Sequence, residues 1–362
     1  MNELLIQTNS KEYPLIIGEN LFLQKDILLR AIGEKPTSIL VITDDHISSL
    51  YLQRVVHALD EISPIFTKVI RSGEASKSFD MYYECQTFAL AKGLDRKSLI
   101  IALGGGVIGD LAGFVAATFM RGIRFIQIPT TILAHDSAVG GKVAINHPLG
   151  KNTIGAFHQP EAVLYDTTFL KTLPPEEKRS GFAEIIKESL ILEKNFYQWL
   201  KTSVPTLDSL HGSILQEALL KGMRVKATIV SQDERETGIR AYLNFGHTLG
   251  HALESVLGYG KISHGDAVAI GMIFAMKVSE KQLNVTLPIR EMQKWFNDIG
   301  FPLFPKGLSA HDILESMKKD KKVVRGKVRM NLMKEIGALA IEEVDDELLL
   351  TLLKQECEEV NV

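Results

Sequence analysis

The sequence predicts an α/β N-terminal domain with a Rossmann-like, mostly parallel sheet, followed by a mainly α-helical C-terminal domain. Three observations carry this. Through the first half, short and nearly continuous apolar runs alternate with longer amphipathic stretches, the pattern of strands covered on both faces by crossover helices. A glycine-rich segment, Leu103-Gly104-Gly105-Gly106-Val107-Ile108-Gly109-Asp110, follows one apolar run and opens a helical one. After Thr172 the alternation stops and helical spacing dominates, which sets the expected domains at 1–172 and 173–362.

In order along the chain, strands are expected at 38–43, 65–70, 98–103, 125–128 and 162–165, with helices at 79–92 and 107–119 between them. Residues 129–160 hold little apolar periodicity and many donors, and read as a long functional loop. Leu173-Pro174-Pro175 followed by Glu176 and Glu177 marks a helix start, with proline and acids in the first turn. Helices are then expected at 176–201, 213–231, 247–256, 265–282 and 345–358, and only 328–333 reads as extended.

Composition narrows the function. The 362 residues are 45% hydrophobic and 23% charged, enough apolar content for a sizeable core. Lys and Arg number 41 against 44 Asp and Glu, a net charge of −3, so no global positive field favours nucleic acid or an anionic membrane. Two cysteines, Cys85 and Cys357, exclude a disulfide scaffold or a thiolate zinc site. With no basic-then-apolar leader and no apolar run near 18 residues, a cytoplasmic protein is expected, with no membrane partner.

Three groups of residues point to chemistry. Gly104, Gly106 and Gly109 fit G-x-G-x-x-G at a strand-to-helix turn, where backbone N–H groups can approach a pyrophosphate; a plain tight turn explains them as well. Asp44, ending an earlier strand, is the ribose candidate, and a helix N-cap at Asp44 or Asp45 is the alternative. Among ten histidines, His247 and His251 lie one helical turn apart, His264 opens the next helical stretch, and Glu184 lies in an otherwise apolar helix. Two histidines and a glutamate can hold a catalytic zinc with one position open; alternatively Glu184 pairs with Lys187 at i+3. Lys142, Lys151 and Asn152, with Arg121 and Arg124 upstream, can hold a phosphate, and Lys226, Arg240 and Asn244 form a second polar group.

Taken together, the motifs resemble the 3-dehydroquinate synthases, from about residue 70 to beyond 330. The matching runs are Ser72-Gly73-Glu74 with Lys77, GGGVIGD, MRG at 120–122, PTT at 129–131, GGK at 140–142, PLGKN at 148–152 and IGAF at 154–157. They continue with SGFAEIIK, DERETG at 233–238, NFGHTLGHALE, HGDAVAIGM and DKK at 320–322. The resemblance implies that Glu184, His247 and His264 hold Zn2+ or Co2+. It implies NAD contacts from Asp44, Ser72, Glu74, Lys77, Gly104, Gly105, Gly106, Val107, Ile108, Gly109, Asp110, Thr130, Thr131, Lys142, Lys151, Phe169, Leu170, Lys171 and Thr172. Asp136, Lys142, Asn152, Lys187, Lys226, Arg240, Asn244 and His251 would line the substrate site, and Arg121 would complete a neighbouring subunit's phosphate pocket in a homodimer.

The implied activity converts 3-deoxy-D-arabino-heptulosonate 7-phosphate, a small phosphorylated sugar acid, to 3-dehydroquinate and phosphate. Transient oxidation by NAD, β-elimination of phosphate, reduction and an intramolecular aldol closure make up the reaction. Sister cyclases acting on other sugar phosphates, and metal-dependent polyol dehydrogenases, are the alternatives. The chain departs from the family pattern in having one residue fewer between Ala134 and Asp136, Ala138 in place of a second serine, and Glu188 after Lys187.

Overall fold

Seven strands form the main sheet: β1 (Asn2–Gln7), β2 (Glu12–Gly18), β3 (Ile39–Asp44), β4 (Ile65–Ile70), β5 (Leu99–Gly104), β6 (Arg124–Pro129) and β9 (Ala162–Asp166). Their order is β1-β2-β9-β6-β5-β3-β4, parallel throughout except for the antiparallel β1–β2 pair at one edge. The continuous apolar runs follow from burial on both faces. Ile39 and Val41 of β3 enter one core cluster with Leu99 and Ile101, while Leu40 and Ile42 enter another with Ile100 and Ala102. This computed structural model describes residues 1–258, 260–319 and 327–359, so the 320–322 run matched above lies outside the described residues.

Two compact units divide the chain. The first takes Met1–Leu173 and Lys226–Arg235; the second takes Pro174–Val225 and the described residues from Glu236 onward. The C-terminal part of the helix Gly212–Gln232 therefore counts with the first unit, a return that a single cut at 172/173 does not contain.

Residues 129–160 are not one long loop. They hold a short helix, Ala134–Ser137, and an antiparallel hairpin of β7 (Lys142–His147) and β8 (Gly150–Phe157). The β8 strand is largely exposed, so it lacks the buried-strand signature. The helix expected over 176–201 is two, Pro175–Ile191 and Lys194–Ser203, with Glu193 extended between them and no glycine or proline to mark the break. Among its described residues the second unit is mainly helical, with one antiparallel hairpin of β10 (Val328–Glu335) and β11 (Ala338–Val344). None of the described helices is long and apolar enough to cross a membrane.

Candidate active site

In the first unit, the strand order reverses between β3 and β5. Open parallel sheets bind ligands outside the carboxyl ends of the strands at such a switch point. Asp44 ends β3 and Gly104 ends β5, so both nucleotide candidates stand at that edge. The Asp44 carboxylate accepts the Ile47 N–H at 2.8 Å, so Asp44 is the N-cap; Asp45 instead accepts the Ser72 N–H at 2.9 Å.

Gly105 caps the helix Gly106–Thr118 without a side chain, and the first turn has no acid, which leaves the positive end of the helix open to an anion. The loop glycines leave little space: a Cβ at Gly104 would meet Ile108 Cγ1 at 2.6 Å, and one at Gly105 would meet Thr131 Cγ2 at 3.0 Å. The Thr130 N–H donates to the Gly104 carbonyl at 3.1 Å. Tight turn and anion site are therefore compatible readings of the same glycines.

Lys77 joins residues expected to serve cofactor and substrate separately. Its buried ammonium donates to both the Asp110 carboxylate and the Asn152 side-chain carbonyl. Burial raises the Asp110 carboxyl above the ordinary range, outweighing the opposing pull of Lys77. Asn152, held at φ +53°, donates its N–H to Asn146 Oδ1 at 2.9 Å, and Asn146 Nδ2 donates to Glu74 at 2.7 Å. Sequence reasoning missed Asn146, which carries no motif signal beyond its place in the hairpin.

Other first-unit candidates fall into place less uniformly. Lys226 donates to the Asp136 backbone carbonyl and lies 3.0 Å from its carboxylate, which joins two expected substrate residues. Lys142 opens β7 opposite Phe157, whereas Lys151 and Asn152 lie by the turn at the other end of that hairpin. Phe169 and Leu170 are buried, with the Phe169 ring stacked on Tyr51 at 4.3 Å, while Lys171 lies 3.7 Å from Glu19. The Tyr51 hydroxyl donates to the Phe169 carbonyl at 3.0 Å and lies 2.6 Å from Thr172 Oγ1, fixing this segment. Exposed Arg121 has φ +75° in the turn before β6, at the end of the sheet opposite Asp44 and Gly104.

In the second unit, His247 and His264 are each the first residue of a helix, His247–Leu257 and His264–Leu283. Gly246, at φ +80°, turns the chain into the first helix, and the Ser263 hydroxyl accepts the Asp266 N–H to cap the second. These helices and Pro175–Ile191 meet at backbone contact. A Cβ at Gly265 would stand 2.0 Å from the Ser180 carbonyl oxygen, and one at Gly271 1.9 Å from that of Gly246. Arg179 adds a two-pronged bond to Asp266, both contacts at 2.8 Å.

That packing gathers Glu184, His247 and His264, whose ligand atoms all lie within 4.8 Å of one another. Glu184 Oε1 is 3.7 Å from His247 Nε2 and 3.6 Å from His264 Nε2. A tetrahedral zinc site with bonds of ~2.1 Å has edges of about 3.4 Å, so the donor set fits such an ion in chemistry and spacing. Glu184 also accepts from the buried Lys187 ammonium, so the i+3 ion pair and the triad coexist on one carboxylate. His251 lies beside them, its ring 5.2 Å from His247 and 6.0 Å from His264.

Burial holds the His247 imidazole well below its ordinary pKa, in the neutral form a metal requires. Burial also lowers His264, but hydrogen bonds to Glu184 and Glu254 outweigh it and raise the group to about 10. Arg240 is buried in the 3-10 turn Ile239–Asn244, and Asn244 Nδ2 donates to Glu236 at 2.8 Å. Sequence reasoning also missed Glu254, although it follows His247 and His251 on one helix face at spacings of seven and three.

A solved 2-deoxy-scyllo-inosose synthase, complexed with carbaglucose-6-phosphate, NAD+ and Co2+, superposes with a TM-score of 0.89 at 24% identity, over 98% of this chain and 100% of that one. A 2-epi-5-epi-valiolone synthase from Streptomyces hygroscopicus subsp. jinggangensis 5008, with NAD+ and Zn2+ bound, gives 0.86 at 21%, over 96% and 97%. Both share the fold.

The family follows from sequence. Residues 67–180 match the family described as 3-dehydroquinate synthase N-terminal, and residues 181–323 its C-terminal counterpart. A 3-dehydroquinate synthase of Geobacillus thermodenitrificans (strain NG80-2) is 56% identical over 358 residues, 98% of each chain. The chain belongs to the 3-dehydroquinate synthase family.

Proposed function

We propose that this chain converts 3-deoxy-D-arabino-heptulosonate 7-phosphate to 3-dehydroquinate and inorganic phosphate, a carbon–oxygen lyase step of aromatic amino acid biosynthesis. The observation that carries this reading is the Glu184–His247–His264 set, its first two members buried and His264 partly so, beside Lys187 and His251, in a chain of this family. Glu184, His247 and His264 would hold Zn2+ or Co2+. The open helix end at Gly104–Gly106, with Asp44, Glu74, Lys77, Asp110, Thr130 and Thr131, would hold NAD. When bound, the cation polarises a substrate hydroxyl and the nicotinamide takes up and later returns a hydride.

The chain's own residues do the rest. Lys187, anchored by Glu184, brings positive charge to the reacting hydroxyl. By the family's pattern His251 would pass a proton to the departing phosphate, with Lys142 contributing charge and Asn152 a hydrogen bond. Arg240 offers the planar fork suited to the substrate carboxylate, and Asn244 and Lys226, held by Asp136, add donors. By the family's pattern Arg121 would serve a second copy's phosphate site in a homodimer; it lies at the sheet end away from Asp44 and Gly104. The reduced thiols Cys85 and Cys357 suit a cytoplasmic setting.

Phosphate release from this substrate, with less than one equivalent of NAD in chelator-treated protein, tests the proposal. Many phosphates per NAD, only after zinc is added, are expected. No release, with turnover of sedoheptulose 7-phosphate or glucose 6-phosphate instead, would reassign the chain to a sister cyclase.

A further inference from the structure

We propose that Glu254 is a positioning residue that fixes which nitrogen of His264 faces the metal. It rests on the reading of Glu184, His247 and His264 as the metal-holding set. Glu254 lies on the helix that His247 opens, with its side chain 8% exposed, and its Oε2 is 3.4 Å from His264 Nδ1. The other nitrogen of the same ring, Nε2, is 3.6 Å from Glu184 Oε1. A carboxylate accepts but does not donate, so it selects the tautomer with hydrogen on Nδ1. Once a cation displaces the Nε2 proton, the Nε2 lone pair is the one offered to it, beside Glu184 and His247. The arrangement is a carboxylate–histidine–metal relay, in which the outer carboxylate orients the ring and raises its basicity as a ligand.

The ligand atoms of His251, Glu254 and His264 also lie within 4.8 Å of one another, which poses a second cation site as the competing reading. Both groups share His264. Filling both would strip hydrogen from both nitrogens of one imidazole and set two dications across a single ring, whereas one cation with Glu254 as acceptor leaves Nδ1 protonated. The geometry therefore favours the relay.

The test is competition with a chelator for Co2+, read through its visible absorption, in wild type, Glu254→Gln and Glu254→Ala, with the fold checked by circular dichroism. Glutamine keeps an acceptor without the charge, so it should weaken Co2+ binding about tenfold, and alanine up to about 100-fold. Both should shift the ligand-field bands while one cation still binds per chain. If wild type binds no cation, the metal reading itself fails. If wild type binds one and the variants bind it equally tightly with an unchanged spectrum, the relay fails and the metal reading stands. If wild type binds two and the variants lose only one, Glu254 is a ligand of a second site and the proposal is overturned. Should the alanine variant not fold, the glutamine variant decides alone.

Discussion

In the first unit Asp44 and the Gly104–Gly106 turn stand where strands end, with backbone amides and glycines presented at the start of a helix. In the second, Glu184, His247 and His264 stand on three helices in backbone contact, both histidines at helix starts. The first arrangement presents an open helix end to which a phosphate can come without moving side chains. The second fixes three side-chain donors to within the tolerance of a metal polyhedron, which turns alone seldom achieve.

Substitutions can break that contrast at different points. The largest effect is expected for Glu184→Gln, which should lose bound metal and lower turnover on the order of a thousandfold or more. It should still fold and bind NAD, with a lowered melting temperature because the buried Lys187 ammonium loses its carboxylate; metal retained by the variant would remove Glu184 from the ligand set. Gly265→Ala should act through packing, because its Cβ would stand 2.0 Å from the Ser180 carbonyl. A destabilisation of about 3 kcal/mol or more, with loss of metal, is expected from denaturant titration.

In the first unit, Lys77→Ala should leave the Asp110 carboxylate without its cation and release Asn152. A cost of about 1–3 kcal/mol and weaker NAD binding, read by fluorescence titration, should leave metal content unchanged. Metal loss in this variant would mean that the two units are not separable in this way.

The smallest expected effect is a pH dependence away from both sites. His158 is packed on Phe125 at 5.3 Å and donates to the Ile123 carbonyl at 2.8 Å, and burial lowers its pKa. The unfolded chain therefore takes up a proton near pH 6.5 that the folded chain resists, so stability falls as pH drops below that value. Melting temperatures at pH 7.5 and 5.5 should differ by less in His158→Phe than in wild type.

The parts of the molecule legible in the sequence are those where physical demand leaves few residue choices. Strands buried on both faces must be continuously apolar, so β3 and β5 stand out. The glycines of the 104–109 turn are required by Ile108, Thr131 and Gln127, which crowd them. His247 and His251 announce themselves by spacing. Glu184 stands out as a lone acid in an apolar run. The hairpin β7–β8 was not legible, because the buried stretch of β7 is only three residues long and β8 is exposed over most of its length. Neither was the break at Glu193, where the chain leaves the helix without a glycine or proline. Asn146 and Tyr51 act through bonds to partners far off in sequence, which no local pattern encodes. The roles of Lys226, Arg240 and Asn244 came from resemblance to a family, since nothing in a lone lysine distinguishes an anchored one from a solvated one.

The anchoring of those lysines has a practical side. Lys77, Lys187 and Lys226 have side chains 4%, 1% and 7% exposed, each held against an acid. Amine-directed reagents act on accessible, unprotonated lysines, so these three should be the slowest to label. Attachment to an amine-reactive support would then proceed through peripheral lysines such as Lys25 and Lys97 and spare these three. A lysine-labelling map by mass spectrometry would read the buried charge pairs of both units in one experiment.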